Sequence, residues 1–511
     1  MLILRHNCLS AKDLFVIERI MFKVAEEPFT TYLDYSLLNK PKTEVYGFTT
    51  GIFKRMGICQ SLGITTSDFL DFLIDIDQGY CDNPYHSFYH AVDVAMVLYH
   101  MLECYDISEY LTRFDLASSF IAALCHDIGH PGKNNNFQIN GDTEMSQNFK
   151  KKSVIESHST KTAIEILNKH NLLRNIELQS EAFGLKVSQD EFKKSIAEMI
   201  LATDMSCHFH LQHNITVLKN VVNFKKKVHQ KYASPIQIGS TNMSDDHLQL
   251  KPLFDTITNP MTYFYNNNYF KLGKSRPSPT LLNTEQRQML CNILLHSADI
   301  SNPCRPWDIF HTLSSLVCIE FFRQGEAEKN MGLPVSPNMD YDQTNPSNIN
   351  VGFIDFIVYP YFEALATLFP KSTELLHICL RNRDEWLKLT CEEVDINLDI
   401  PVPIYSPTNA PTYVSLAAGT IQIPHFTEEY PIKKDEARKI DSLSTPNWLG
   451  TENLSHYNRR KSEDISLNQT SLNQKSVSTI RKRRKSDGFS SYIHNRPKLL
   501  LYSNRTYNTQ A

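Results

Sequence analysis

Two pairs of histidines, each spaced four residues apart, lie against apolar helical runs. His86 and His90 lead into AVDVAMVLYHML (Ala91–Leu102), and His126 closes DLASSFIAALCH (Asp115–His126) with His130 four residues on. A spacing of four sets both imidazoles on one face of a helix. Asp127 adjoins His126, and Asp299 sits in HSADISNP (His296–Pro303). Glu156 in VIESH and Asp204 in LATDM each border a further apolar run. Burying so many ionisable groups without partners costs several kcal/mol apiece, and a metal centre supplies the partner. His100, His208 and His377 stand singly on apolar helices and read as packed, hydrogen-bonded side chains.

The donor types narrow the metal. Two imidazoles with two carboxylates suit Zn²⁺. A carboxylate can also bridge to a harder ion completed by water, as Mg²⁺ or Mn²⁺ prefers. Such a pair of ions clamps a phosphate and lowers the pKa of a shared water. No G-x-x-x-x-G-K-[ST] is present, which argues against nucleoside-triphosphate chemistry of the P-loop type.

The rest of the chain indicates an all-α fold. Ser315–Phe322 (SLVCIEFF) and Ile354–Phe369 (IDFIVYPYFEALATLF) repeat apolar residues at three- and four-residue intervals, with Pro360 predicted to bend the second. Alternating β patterns are scarce. With 511 residues, 41% hydrophobic, the chain can bury a sizeable core. Residues 1–39 read as a short leader and 40–397 as one helical domain. Within that domain, 229–278 is rich in Asn, Ser and Tyr and reads as a surface insertion. Residues 398–511 open on the Pro-rich PVPIYSPTNAPTYV and continue as a tail whose composition predicts disorder.

Charge and cysteine usage set the remaining expectations. The formal net charge is -4, yet residues 451–511 carry 12 Lys+Arg against 4 Asp+Glu, so an acidic body meets a basic tail. The near-neutral whole does not indicate a nucleic-acid partner. The 11 cysteines show no C-x-x-C pair, which points to reduced thiols. No window approaches 18 consecutive apolar residues, so no membrane span is expected. The expected location is cytoplasmic, with RKRRK in the tail as a candidate nuclear signal.

The ordered set Y-H-x-x-x-H-A-x-D-V, H-D-x-x-H-P-G, T-D-M and H-x-A-D-I-S-N-P resembles the class I 3′,5′-cyclic-nucleotide phosphodiesterases, within the wider HD phosphohydrolase group. FFRQGEAEKNMGLPVSP (Phe321–Pro337) and VGFIDFIVYP (Val351–Pro360) extend the likeness, which covers about Leu70 to Trp386 except the insertion. The resemblance implies that residues 40–397 are a catalytic domain in which His90, His126, Asp127 and Asp299 bind zinc. Asp127 would bridge to a magnesium, or manganese, whose waters are held by His130, Glu156, Thr203 and Asp204. A bridging hydroxide would attack phosphorus, and His86 would protonate the O3′ leaving group.

The same resemblance places Tyr85, Met205, Asn302, Val317, Asn350 and Phe353 at the substrate. Phe353 would stack on the purine, with Val317 as the opposing jaw. Two positions depart from the family pattern. Asn350 stands where the family has a base-reading glutamine, and Ser87 where asparagine is common. The implied reaction is hydrolysis of cyclic AMP to the 5′-monophosphate. The rival readings are a catalytically silent cyclic-nucleotide sensor and a hydrolase of another phosphate ester. In the tail, Arg459-Arg460-Lys461-Ser462 and Arg483-Arg484-Lys485-Ser486 resemble sites of cyclic-AMP-dependent protein kinase, making Ser462 and Ser486 phosphorylation candidates.

Overall fold

Several helix starts are encoded locally as Ser/Thr/Asn-x-x-Asp/Glu/Gln. Ser10 with Asp13, Thr65 with Asp68, Thr112 with Asp115, Ser188 with Glu191 and Asn283 with Gln286 all close reciprocal capping boxes. Each satisfies two backbone N–H groups that the helix leaves unpaired. The structure, a computed structural model, describes residues 4–27, 33–233 and 281–389, with side chains described to 225 in the second stretch. Most of the 229–278 insertion, and the whole 398–511 region with Ser462 and Ser486, lie outside the described residues.

The described residues form α-helices joined by short, tighter turns, with no strand among them. In chain order the first four are α1 (Ala11–Glu26), α2 (Lys42–Arg55), α3 (Ile58–Leu62) and α4 (Thr66–Gly79). Then come α5 (Phe88–Cys104), α6 (Arg113–Cys125), α7 (Asn135–Asn140), α8 (Glu144–Asn148) and α9 (Val154–Lys169). The series continues with α10 (Ile176–Ala182), α11 (Gln189–Leu201), α12 (His208–Ala233) and α13 (Thr284–Asp299). It closes with α14 (Trp307–Met331), α15 (Pro346–Phe353), α16 (Tyr359–Leu368) and α17 (Thr373–Leu389).

Helices α5 and α6 are buried almost all round, so they form the centre on which α11 and α13 pack. That explains their near-continuous apolar sequence, because a helix without a water-facing side needs no polar stripe. Cys125 and Cys318 are buried thiols, and every cysteine among the described residues is free. Just before Pro360 the chain widens into a π-turn at Ile354–Val358. A proline lacks the N–H for the ordinary helical bond and its ring crowds the preceding turn, and the wider turn absorbs both effects. The stretch Pro346–Leu368 is long and apolar enough to cross a membrane by length and composition alone. In the fold, its Ile354, Ile357, Tyr361 and Phe362 are buried in the core.

The stretch read from sequence as a leader contributes α1, which buries Ile17, Met21, Val24 and Ala25. It rests directly on the backbone of α2. A Cβ built at Gly47 would lie 2.8 Å from the Ile17 carbonyl oxygen, and one at Gly51 would lie 2.6 Å from Val24 Cβ. Gly51→Val should therefore push α1 away, at a cost of about 1–3 kcal/mol for overpacking. A denaturation midpoint unchanged from wild type would contradict this contact.

Candidate metal centre

Three helix ends converge on one point. His90 stands in the first turn of α5, His126 and Asp127 at the C-terminal end of α6, and Asp299 on the last residue of α13. Their ligand atoms all lie within 4.8 Å of one another. His126 Nε2 is 3.1 Å from Asp127 Oδ2 and 3.3 Å from Asp299 Oδ1, and His90 Nε2 is 3.1 Å from the same Asp299 oxygen.

The geometry fits a cation better than a proton. His126 is fully buried, and its Nε2 has no directed hydrogen bond despite the two nearby carboxylate oxygens. Its Nδ1 lies 2.9 Å from the Ala123 carbonyl oxygen, and a proton held there would leave Nε2 to ligate a cation in place of a second proton. Burial pushes the His126 imidazole down, but Asp127 and then Asp299 outweigh it and hold the pKa well above normal. Burial likewise pushes Asp299 up, while His126 and His90 hold it well below the usual carboxylate range. Two carboxylates sharing two imidazoles in a buried spot form an anionic cradle that a divalent ion neutralises.

A glycine turn sets this cradle's shape. Gly129, two residues after Asp127, has φ +77°, and a Cβ there would meet His158 Nε2 at 2.5 Å. A left-handed backbone packed this closely accepts only glycine. The turn carries the chain from His126 to His130, whose ring stacks on His86 at 3.9 Å between centroids.

His86 stands beside the cradle and has its own partner. Glu320, 3% exposed on α14, accepts the backbone N–H groups of Tyr85 and His86 on Oε1 at 2.7 and 2.8 Å. Its Oε2 lies 2.6 Å from His86 Nδ1. Burial pushes the imidazole down, but the Glu320 carboxylate outweighs it and raises the pKa to about 9. For Glu320, burial raises the pKa, and the His86 charge overcomes this to bring it to about 2. His86 is thus a protonated acid at neutral pH. The stacked His130 behaves oppositely: burial, then the His86 charge, lower it to about 3.

The pair carries a pH signature. Because the folded pKa of His86 lies above the unfolded value of about 6.5, its stabilisation is complete below that value. It is lost as pH rises through about 9. Glu320→Gln removes the two largest effects that raise His86 and leaves burial opposed only by Asp127 and Asp299, so the alkaline limb of any activity needing this acid should move down from about 9. An unshifted limb in the pH–rate profile would show that Glu320 does not set this pKa.

Glu156 is brought near both Asp204 and Asp127. Burial, then the Asp204 charge, push Glu156 up to about 8, while Asn135 Nδ2 donates to it at 2.9 Å. Asp204 accepts the Ser206 N–H at 2.8 Å, and the Thr203 hydroxyl donates to the Ile200 carbonyl at 2.8 Å. His130 Nδ1 accepts the Gly132 N–H at 3.0 Å.

Among the substrate candidates, Asn302 Nδ2 donates to Tyr85 Oη at 2.6 Å, and the Tyr85 ring lies 4.5 Å from that of His90. Met205, Val317 and Phe353 are half-buried. Asn350 is buried, and its amide is engaged at both ends: Ser314 Oγ donates to Oδ1 at 2.8 Å, and Nδ2 donates to the Pro346 carbonyl at 2.9 Å. Ser87 begins α5 without a side-chain cap bond.

Sequence reasoning missed Glu320, Asn83 and Asn135. Glu320 had a usable signal, a lone acid inside the apolar SLVCIEFF. Asn83 Nδ2 bridges the carbonyls of His86 and His130 at 2.9 and 2.7 Å, and nothing local in the sequence marks it.

A family model described as 3′5′-cyclic nucleotide phosphodiesterase matches residues 85–379. The 3′,5′-cyclic-nucleotide phosphodiesterase regA of Dictyostelium discoideum is 33% identical over 60% of this chain and 31% of its own length. The probable 3′,5′-cyclic-AMP phosphodiesterase pde-4 of Caenorhabditis elegans is 27% identical over 68% of this chain and 44% of its own. The high affinity cGMP-specific 3′,5′-cyclic phosphodiesterase 9A of Homo sapiens is 27% identical over 64% and 44%. The chain thus spans less than half the length of these curated relatives. The solved phosphodiesterase domain of the RhoPDE fusion protein from the choanoflagellate Salpingoeca rosetta is 25% identical. That likeness covers 72% of this chain and 98% of that one, with a TM-score of 0.54. With that match over more than half its length, and with the ligand cradle and its neighbouring acid in place, the chain belongs to the 3′5′-cyclic nucleotide phosphodiesterase family.

Proposed function

We propose that this protein hydrolyses a 3′,5′-cyclic nucleotide, with cyclic AMP preferred, to the 5′-monophosphate. One observation carries the reading: an imidazole paired with a carboxylate, His86 on Glu320, stands beside a separate cradle of two imidazoles and two carboxylates. Hydrolysis of a phosphodiester needs both parts, because the phosphate requires neutralising and the departing alkoxide requires a proton. His90, His126, Asp127 and Asp299 would hold zinc, with magnesium beside Asp127. Bound there, the ions supply Lewis acidity that neutralises the phosphoryl oxygens and activates water. His86, poised at about 9, donates its proton to O3′, and Glu320 keeps it charged until then. Glu156 sits near both Asp204 and Asp127, and a second cation held there would offset the burial and the repulsion that push its carboxyl up to about 8.

Asn302 supports the adenine preference. One of its two amide N–H groups is committed to Tyr85 Oη, leaving the other and the carbonyl acceptor for a ligand. That acceptor suits the 6-amino group of adenine. Asn350 is tied up by Ser314 and Pro346, so base reading rests on Asn302. Ser462 and Ser486 remain proposed kinase sites, tested by loss of phosphate incorporation in the double Ala variant.

The test is hydrolysis of cyclic AMP and cyclic GMP by purified protein with Mg²⁺, with and without chelator. Chelator-sensitive release of 5′-AMP, with kcat/KM higher than for cyclic GMP, is expected. Binding of either nucleotide without turnover would replace this reading with that of a sensor. Neither binding nor turnover would point to another phosphate ester.

A further inference from the structure

Arg305 has no exposed surface, yet it is a permanent cation. It spends its guanidinium on three partners from two distant parts of the chain. Nη1 donates to Asp93 Oδ2 at 2.5 Å, Nε to the Leu33 carbonyl at 2.9 Å and Nη2 to the Tyr35 carbonyl at 2.6 Å. Its own backbone is anchored as well, because Asn382 Nδ2 donates to the Pro303 and Arg305 carbonyls at 2.8 and 2.7 Å.

The partners matter because of what they adjoin. Arg305 closes the turn that follows Asp299, and Asp93 lies three residues, about one helical turn, beyond His90 on α5. The Arg305–Asp93 bond therefore joins the two elements that carry His90 and Asp299, whose ligand atoms are 3.1 Å apart. The strand of backbone at residues 33–40 forms the third side. Tyr89, next to His90, donates from Oη to the Lys40 carbonyl at 2.8 Å. Ser36 and Leu38 share the wall of a small cavity with Tyr85, His90 and Asp93. This stretch lies outside the residues matched by the family model, 85–379.

We infer that residues 33–40 are a strap across the back of the metal cradle, and that Arg305, by clamping strap, α5 and the Asp299 turn together, is a positioning residue for His90 and Asp299. A fork of five fixed donors can hold a carboxylate and two carbonyls at once, which a lysine ammonium cannot do with the same geometry. Groups that orient metal ligands from behind typically change metal affinity or activity by about 10–100-fold when replaced.

The test uses the full chain and Co²⁺ as a visible probe of the cradle. Arg305→Lys keeps the charge opposite Asp93 but loses the fork. It should fold with wild-type helical content, bind Co²⁺ about 10-fold or more weakly, and show altered visible bands. Its kcat should fall with KM near wild type. Arg305→Met alone leaves Asp93 buried without its cation, so Asp93→Asn with Arg305→Met is the neutral companion, expected to show the same altered bands. Wild-type Co²⁺ affinity and spectrum in folded Arg305→Lys would overturn the inference, whether or not the neutral pair folds. The inference rests on the metal cradle of the proposed function. The cobalt readout needs no nucleotide, so failure of either nucleotide to turn over would count against the function alone.

Discussion

His86→Ala is expected to lower kcat for cyclic-nucleotide hydrolysis by about 10²–10⁴ while leaving metal content near wild type. The argument rests on a division of labour visible in the geometry. His86 belongs to a cluster with His130 and Glu320, whereas His90, His126, Asp127 and Asp299 form the other. An imidazole whose nitrogen ligates a metal cannot also deliver a proton from that nitrogen, so the acid must stand apart from the cradle. Its ring is bound through Nδ1 to Glu320, which leaves Nε2 as the atom able to deliver the proton. Removing the ring takes away the proton donor and leaves the Glu320 carboxylate with only the two backbone N–H bonds. Some loss of stability should follow, because part of that buried charge is then unpaired. Metal analysis together with kcat and KM separates the outcomes. Loss of metal in His86→Ala, or full retention of activity, would remove His86 from the role of acid.

Asp299→Ala is expected to fail in the opposite way, by losing metal. Asp299 Oδ1 is the one atom placed within 3.3 Å of both His90 Nε2 and His126 Nε2. Without it the two imidazoles and Asp127 are left, too few and too neutral to retain a divalent ion tightly. Activity should fall by more than the roughly 10–100-fold that loss of an outer supporting residue costs. A second readout follows from linkage. A metal that binds only the folded state stabilises it by mass action, so chelator should lower the Tm of the wild-type protein. In Asp299→Ala the chelator should have little left to remove, and the shift should vanish. An Asp299→Ala protein that still carries metal and shows the full chelator-dependent shift in Tm would place the ligand elsewhere.

The two variants together distinguish a proton donor from a ligand, which either alone would not. The Glu320→Gln pH profile adds the link between them, since Glu320 reaches His86 from α14 and touches none of the four cradle residues in the described bonds.

What was legible in the chain was what local spacing encodes. His86 with His90, and His126 with Asp127 and His130, could be found because they cluster in recognisable motifs, but not by sharing a helix face: α5 begins only at Phe88, and α6 ends at Cys125 before the Gly129 turn. The all-α class followed from helical periodicity in the apolar residues. Even Asp299, far downstream, could be singled out because it closes an apolar helix in a recognisable motif. Helix starts such as Thr112-x-x-Asp115 are local as well, since the capping bonds span three residues.

The tertiary structure decided what depends on contacts between distant segments. Glu320 lies 234 residues from His86, and no local pattern could say that its carboxylate raises that imidazole to about 9. Asn350 stands out by its place in the sequence, and only the fold shows that its amide bonds Ser314 on α14 and the Pro346 carbonyl within α15. Residues 1–39 read as a short leader, and only the fold shows α1 lying on the glycines of α2 and the backbone of residues 33 and 35 gripped by Arg305. Spacing along a helix determined which side chains share a face. A pKa, a spent amide or a buried ion pair depends on which faces meet, because charge and desolvation act through space and not along the chain.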